Sequence, residues 1–291
     1  MSQTDLVLIN ETLVLRPEAK VDIEDRGYQF GDGIYEVIRV YDGRPFLLTE
    51  HLERLKRSAD EISLSLPLSL GELEQKLVHL VEQTACHSGI IYLQLTRGVA
   101  PRNHGFPSAD TKAQLVAYTK PLERPLSQQE AGITCVLVND IRWLRCDIKS
   151  INLLPNVLAK EEALKQGAYE AIQHRDGVIT EGSASNVFMI KDNKIYTHPA
   201  NHFILNGITR QFVLKLCSQL KLSVIEQTFD VNRLLAADEV FITSTTSEII
   251  PVIQVDNQRI GLGKPGPITR QLQHAFESAL NQVLSKATAK E

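Results

Sequence analysis

The chain has 291 residues, 43% of them hydrophobic and 23% charged, with a formal charge of -4 and a pI near 6.1. That length suits about two domains with ample core for both. The mildly acidic balance excludes the broad basic face that nucleic acid requires, because Arg54, Lys56 and Arg57 form too short a cluster. Met1 to Asn10 lack a basic stretch followed by a long apolar one, and no apolar run approaches the roughly 18 residues of a membrane span. A cytoplasmic protein without membrane contact is expected. Cys86, Cys135, Cys146 and Cys217 are widely spaced with no C-x-x-C pair, and read as reduced, buried small hydrophobes.

In chain order, Leu6 to Ile9 reads as a strand and Ile34 to Tyr41 as another, separated by the Gly27, Gly31 and Gly33 punctuation. Leu52, Leu55, Ala59 and Ile62 recur at helical spacing. So do Leu70, Leu73, Leu77 and Leu80, where Ser69-x-x-Glu72 predicts a capping box. Ile90 to Thr96 and Gln114 to Tyr118 read as strands around a loop, Arg97 to Asp110, that carries charge, Pro and Gly. Pro121 to Gln129 is the linker candidate. It divides the chain into a small N-terminal α/β domain over 1–120, a linker over 121–129 and a larger α/β domain over 130–291. In the latter, Ile133 to Val138 predicts a strand and Asn156 to Gln166 a helix stopped by Gly167. Asp176-Gly177 and Asp192-Asn193 predict two hairpins. Helices return at Ile208 to Leu220 and Ile268 to Leu284, with Glu239 to Thr243 a strand between them. The expected class is α/β in the α+β sense, with mixed sheets covered by helices and no internal repeat.

Asp147-Ile148-Lys149-Ser150-Ile151-Asn152 carries the first chemical signal. Alone, Lys149 is an ordinary solvated lysine. Its neighbours Ile148, Ile151, Leu153 and Leu154 change that, since an ammonium buried among them is costly unless it is neutral, paired or converted to an imine. Burial lowers the pKa of an ammonium and makes it an amine nucleophile. Glu181 lies in Thr180-Glu181-Gly182-Ser183-Ala184-Ser185-Asn186, a small, hydroxyl-rich turn. On the plain reading it caps a nearby N–H; beside a ring nitrogen it favours a protonated pyridinium. Together Lys149 and Glu181 match the two protein groups that pyridoxal phosphate chemistry most needs.

Two sets of donors suit a phosphate. Asn206-Gly207-Ile208-Thr209-Arg210 opens a predicted helix, and Ser244-Thr245-Thr246-Ser247 follows a strand, although caps and turns account for both as well. Arg54 either completes such a clamp with its fork of donors or is a helix-surface arginine. Gly261-x-Gly263-Lys264-Pro265-Gly266 lacks Walker A spacing and its Ser/Thr, so it reads as a loop entering the last helix. In Arg102-Asn103-His104, alternate residues of an extended loop point one way. A guanidinium and an imidazole can then grip one carboxylate, with Tyr35 offering a phenol; the alternative is a solvated loop. No residue is assigned to a metal.

Six segments in order then carry a resemblance: EDRGYQFGDGIYEV (Glu24 to Val37), RGVAPRNHGFP (Arg97 to Pro107), DIRWLRCDIKSINLL (Asp140 to Leu154), TEGSASNVF (Thr180 to Phe188), THPANHFILNGITR (Thr197 to Arg210) and FITSTTSEI (Phe241 to Ile249). The chain resembles the D-amino acid aminotransferases of the fold-type IV pyridoxal phosphate enzymes over nearly its whole length. The resemblance implies two domains with the active site between them and near a homodimer interface. It implies that Lys149 carries the Schiff base, that Glu181 meets the ring nitrogen of pyridoxal 5'-phosphate, and that Leu205 lies against the ring. Arg54, Ile208, Thr209, Ser244 and Thr245 are then expected to hold the phosphate. Tyr35, Arg102 and His104 form the carboxylate trap, with the arginine and histidine loop reaching the partner subunit. Ala184 departs from the serine that relatives often carry there.

The implied reaction is ping-pong amino transfer between D-amino acids (D-alanine, D-glutamate) and 2-oxo acids (2-oxoglutarate, pyruvate), with Lys149 moving the proton at Cα. Handedness follows from where the carboxylate is held relative to the lysine, which is how Arg102 and His104 bear on D against L specificity. The alternatives are a branched-chain L-amino acid transaminase or aminodeoxychorismate lyase on the same fold, both lacking the Arg-x-His pair in that loop, and a non-catalytic cofactor-binding protein.

Overall fold

The computed structural model describes residues 5–288 and divides into two units, Met1–Glu123 with Ile148–Asn152, and Arg124–Asp147 with Leu153–Glu291. In the first, β1 (Leu6–Ile9), β2 (Thr12–Leu15), β3 (Gly33–Tyr41), β4 (Arg44–Pro45), β5 (Gly89–Thr96) and β6 (Gln114–Pro121) form an antiparallel sheet in the order β2-β1-β6-β5-β3-β4. Period-two alternation puts Ile34, Ile38 and Val40 of β3 on one buried face. The same face receives α2 (Leu48–Glu61) through Leu52, Leu55 and Ala59 and α3 (Leu70–Gln83) through Leu73, Leu77 and Leu80. Each such buried leucine contributes about 1.5–3 kcal/mol over an exposed one. The predicted capping box is present: the Ser69 hydroxyl accepts the Glu72 N–H at 3.3 Å, and the Glu72 carboxylate accepts the Ser69 N–H at 2.9 Å.

Two expectations need correction here. The glycine punctuation before β3 folds as a short helix, α1 (Arg26–Phe30), because Asp25 caps it from the N–H of Gly27 at 2.8 Å and Gly31 ends it at φ +68°. The lysine-bearing segment, expected in the C-terminal domain, belongs to the first unit. It pairs with the start of β3: the Tyr35 N–H donates to the Lys149 carbonyl at 3.0 Å and the Ile151 N–H to the Gly33 carbonyl at 3.1 Å.

The stretch expected as a linker over 121–129 begins with the last residue of β6, and the second unit starts within it at Arg124; in that unit it contains the start of α4 (Leu126–Ala131), and Arg124 is ion-paired to Glu248 at 2.7 Å and Glu277 at 2.5 Å. Its strands are β7 (Ile133–Asn139), β8 (Glu170–Arg175), β9 (Val178–Gly182), β10 (Asn186–Lys191), β11 (Lys194–Thr197), β12 (Ser223–Glu226), β13 (Glu239–Ser244), β14 (Glu248–Val255) and β15 (Gln258–Arg259). They run in the order β12-β11-β10-β13-β14-β7-β8-β9, with β15 on β14, and mix parallel and antiparallel pairs. Both predicted hairpins form, with Asp176, Gly177, Asp192 and Asn193 at positive φ. The helices are α5 (Leu154–Lys165), α6 (Ile208–Gln219), α7 (Val231–Leu235) and α8 (Pro267–Thr288). Gly261 to Gly266 is the loop expected before the last helix, and the Glu239 carboxylate takes the N–H groups of Ile268 and Thr269 at 3.0 and 2.8 Å. That helix start is therefore already capped. All four cysteines are free and buried.

Candidate active site

In the first unit, the pairing with β3 carries Lys149 to Tyr35, with Nζ 4.1 Å from the ring centroid. The Lys149 N–H donates to Ser58 Oγ at 3.3 Å. Tyr92 stacks on Tyr35 in turn, with centroids 5.9 Å apart. Lys149 is half-buried, less enclosed than its apolar flank predicts, because Ile148 is buried while Leu154 is exposed.

Arg54 is buried, not a helix-surface residue, and grips Glu36 in a fork: Nε donates to Oε1 and Nη2 to Oε2, each at 2.7 Å. With Glu36 ionised, His51 Nδ1 donates to Oε2 at 2.7 Å. Burial alone would raise the Glu36 pKa, but Arg54 and His51 hold it down to about 2. Burial pushes His51 below its ordinary value; Glu36 opposes this, while Arg54 and Lys149 add to it. The result is a carboxylate held ionised between a guanidinium and a neutral imidazole.

In the second unit, Glu181 lies on β9 and is buried. Its Oε1 accepts a short hydrogen bond from Arg142 Nη1, and Oε2 accepts from Asn186 Nδ2 at 2.9 Å and the Leu205 N–H at 3.1 Å. Arg142 is fixed in turn by Asp140, through Nε at 2.9 Å and Nη2 at 2.7 Å. Asp140 also meets Arg175 Nε at 3.1 Å and the Thr180 hydroxyl at 2.9 Å. Two guanidinium groups thus face two carboxylates, which keeps a buried cluster neutral overall. Burial raises the Glu181 pKa against the pull of Arg142 and the Leu205 N–H. For Asp140 burial is overcome, and Arg142 and Arg175 hold its carboxyl well below the usual range.

Ile208 and Thr209, both buried, open α6, whose N-cap Gly207 supplies no side-chain cap to the first turn. The N–H groups of such a helix start, together with the helix dipole, favour an anion. Between β13 and β14 the Ser244 hydroxyl accepts the Ser247 N–H at 3.0 Å, Thr245 is half-buried, and the buried Thr243 hydroxyl has no partner among the described residues. Arg102 and His104 lie exposed against Phe30, with the guanidinium carbon 4.5 Å from the ring centroid and the imidazole centroid 5.6 Å away. Arg26 Nη1 donates to the Asn103 carbonyl at 2.6 Å and holds the loop there. Among the described residues no hydrogen bond, ion pair or ring contact joins Tyr35 to either.

The family profile described as Amino-transferase class IV matches residues 33–255. The chain belongs to the class IV aminotransferases. This class IV aminotransferase is 54% identical over 271 residues to a D-alanine aminotransferase of Staphylococcus aureus (strain MSSA476), covering 93% of this chain and 96% of that one. It is 51% identical over 284 residues to the D-alanine aminotransferase of Bacillus licheniformis, covering 98% and 99%. Among solved structures, the Escherichia coli branched-chain amino acid aminotransferase superposes with a TM-score of 0.88 at 30% identity, over 94% of each chain. The branched-chain aminotransferase of the thermophilic archaeon Thermoproteus uzoniensis, solved with norvaline, gives 0.84 at 27% identity, over 94% and 93%.

Sequence reasoning missed Glu36, His51, Arg142 and Asn186. Glu36 was detectable, since it shares the β3 face of Ile34, Ile38 and Val40, where a lone charge signals a buried partner. Arg142 gave no such signal: Asp140 lies only two residues away, but the Glu181 carboxylate that Arg142 grips comes from β9.

Proposed function

We propose that this class IV aminotransferase is a pyridoxal-phosphate-dependent D-amino acid transaminase, exchanging amine between D-alanine or D-glutamate and 2-oxoglutarate or pyruvate. The observation that carries the reading is 51–54% identity over nearly the whole chain to D-alanine aminotransferases, against 27–30% to branched-chain enzymes of the same fold. The donor set fits the cofactor: an uncapped helix start at Ile208 and Thr209, the orphaned buried hydroxyl of Thr243 beside Ser244 and Thr245, and a buried carboxylate at Glu181. When bound, pyridoxal phosphate supplies a carbonyl carbon that exchanges amines and a ring that accepts electrons.

The residues then take these roles. With the cofactor bound, Lys149 would present its amine to it and would move the proton at the substrate Cα. Glu181, kept in place by Arg142, Asn186 and Leu205, favours a protonated ring nitrogen. Leu205 would border the ring, and Ile208, Thr209, Ser244, Thr245 and Arg54 would hold the phosphate. Tyr35, Arg102 and His104 hold the substrate carboxylate, Arg102 through a bidentate fork.

A homodimer belongs to the same reading. Ile141, Trp143, Leu144 and the α5 residues Leu154, Val157 and Leu158 are exposed large hydrophobics, a concentration that suits a second copy; sedimentation showing a monomer at micromolar concentration would count against it. A cytoplasmic location is likewise proposed, with four unpaired thiols in support. No described helix is long and apolar enough to cross a membrane. The test of function is a chiral donor panel with 2-oxoglutarate and added cofactor. Turnover of D-alanine but not L-isoleucine is expected; the reverse would make this an L-branched-chain enzyme.

A further inference from the structure

Asn186, at the start of β10, is buried and uses both amide hydrogens of one side chain. Nδ2 lies 2.9 Å from Glu181 Oε2 and 2.8 Å from the Leu205 carbonyl oxygen. The Leu205 N–H returns to the same Oε2 at 3.1 Å, closing a ring of three hydrogen bonds through one carboxylate oxygen. Its remaining polar atom, Oδ1, faces Gly207, where an added Cβ would collide with it. Gly207 has φ -62° and ψ 140°, a conformation open to any residue. The glycine therefore serves the space beside Asn186, not an unusual backbone. One side chain thus touches Glu181, the Leu205 segment and the start of α6.

We infer that Asn186 is a positioning residue for the cofactor, fixing the Glu181 carboxylate to Leu205 and to the start of α6 so that the groups for ring and phosphate keep one spacing. The inference rests on the pyridoxal phosphate reading above. Asn186 donates neutral hydrogen bonds where a second charge would unbalance the cluster. The charged and titratable groups facing Glu181 are Arg142 on Oε1, with Asp140, Arg175 and Cys146 around that guanidinium. Aspartate at 186 would add an anion next to Oε2 and make Glu181 protonate at higher pH.

The experiment compares wild type with Asn186→Ala, Asn186→Asp, Gly207→Ala and the double variant Asn186→Ala/Gly207→Ala. It measures the Kd of pyridoxal phosphate for the apoenzyme, thermal melting, and the pH profile of kcat/KM for D-alanine. In Asn186→Ala the Kd should rise roughly tenfold, as for loss of a hydrogen bond to a charged group. In Asn186→Asp the acidic limb should move up by about one pH unit. Support of the fold alone would lower the melting temperature and leave that limb in place. Gly207→Ala should weaken cofactor binding in the same direction as Asn186→Ala, and should add little in the double variant. An unmoved limb with an unmoved Kd, or additive effects of the two sites, overturns the inference. Should the Asn186 variants fail to fold, Gly207→Ala decides alone, and an unchanged Kd there overturns it. Failure of wild type itself to bind pyridoxal phosphate would strike the functional reading instead.

Discussion

Arg54 and Glu36 form a forked pair of two 2.7 Å hydrogen bonds, with the glutamate fully buried. The fork orients the guanidinium more tightly than a single contact does, and His51 supplies the third bond to the same carboxylate. Removing the carboxylate leaves Arg54 buried without its anion. Glu36→Ala should therefore cost about 3–5 kcal/mol in urea-unfolding stability. The Glu36 pKa falls from 4.5 to about 2 on folding, so its contribution is present above about pH 5 and is lost as pH falls through 2. Wild type should lose stability across that window more steeply than Glu36→Gln. Parallel curves for the two would contradict the assignment.

Arg142 holds Glu181 and Asp140 at once. In Arg142→Ala the buried Asp140 keeps Arg175 while the buried Glu181 loses its guanidinium, at a cost of about 3–5 kcal/mol. Glu181 should then titrate still higher than in wild type. A carboxyl whose folded pKa is raised destabilises above that pKa and is relieved as pH falls through it. The drop in melting temperature should accordingly be larger at pH 8 than at pH 5.5; an equal drop at both would show that Arg142 does not set the charge of Glu181.

Arg102 separates function from fold. It is exposed, so Arg102→Ala should change stability by no more than about 0.5 kcal/mol. Loss of a charge-assisted grip on the substrate carboxylate should raise KM roughly tenfold or more for every D-amino acid, with cofactor affinity unchanged. Steady-state kinetics that match wild type would remove Arg102 from the carboxylate trap.

Much of this architecture was legible in the sequence wherever one period ran long enough. The leucine rows of α2 and α3, the Ser69 capping box and the Asp-Gly and Asp-Asn turns all report local physics. The misses are where tertiary contacts decide. The helix α1 is only five residues long and contains a glycine, and it stands because Asp25 caps it and the Thr96 hydroxyl donates to Asp25 at 2.8 Å. Pro251 inside β14 hid that strand. In the candidate site, Lys149 and Glu181 stood out by local pattern, whereas Ser58 and Arg142, which help to orient them, come from elsewhere in the chain and carry no local mark; Asn186 ends the same segment as Glu181, yet its bond to that carboxylate is set by the fold.

The proposed function turns on Lys149 bonding covalently to pyridoxal phosphate. Purified enzyme loaded with pyridoxal phosphate is to be reduced with borohydride, digested and mapped by mass spectrometry, with Lys149→Ala in parallel. A pyridoxyl-phosphate label on the Lys149 peptide, absent from the variant along with turnover and the visible absorption of the bound cofactor, is the expected result. A label on another lysine such as Lys160, or full activity in Lys149→Ala, would contradict it.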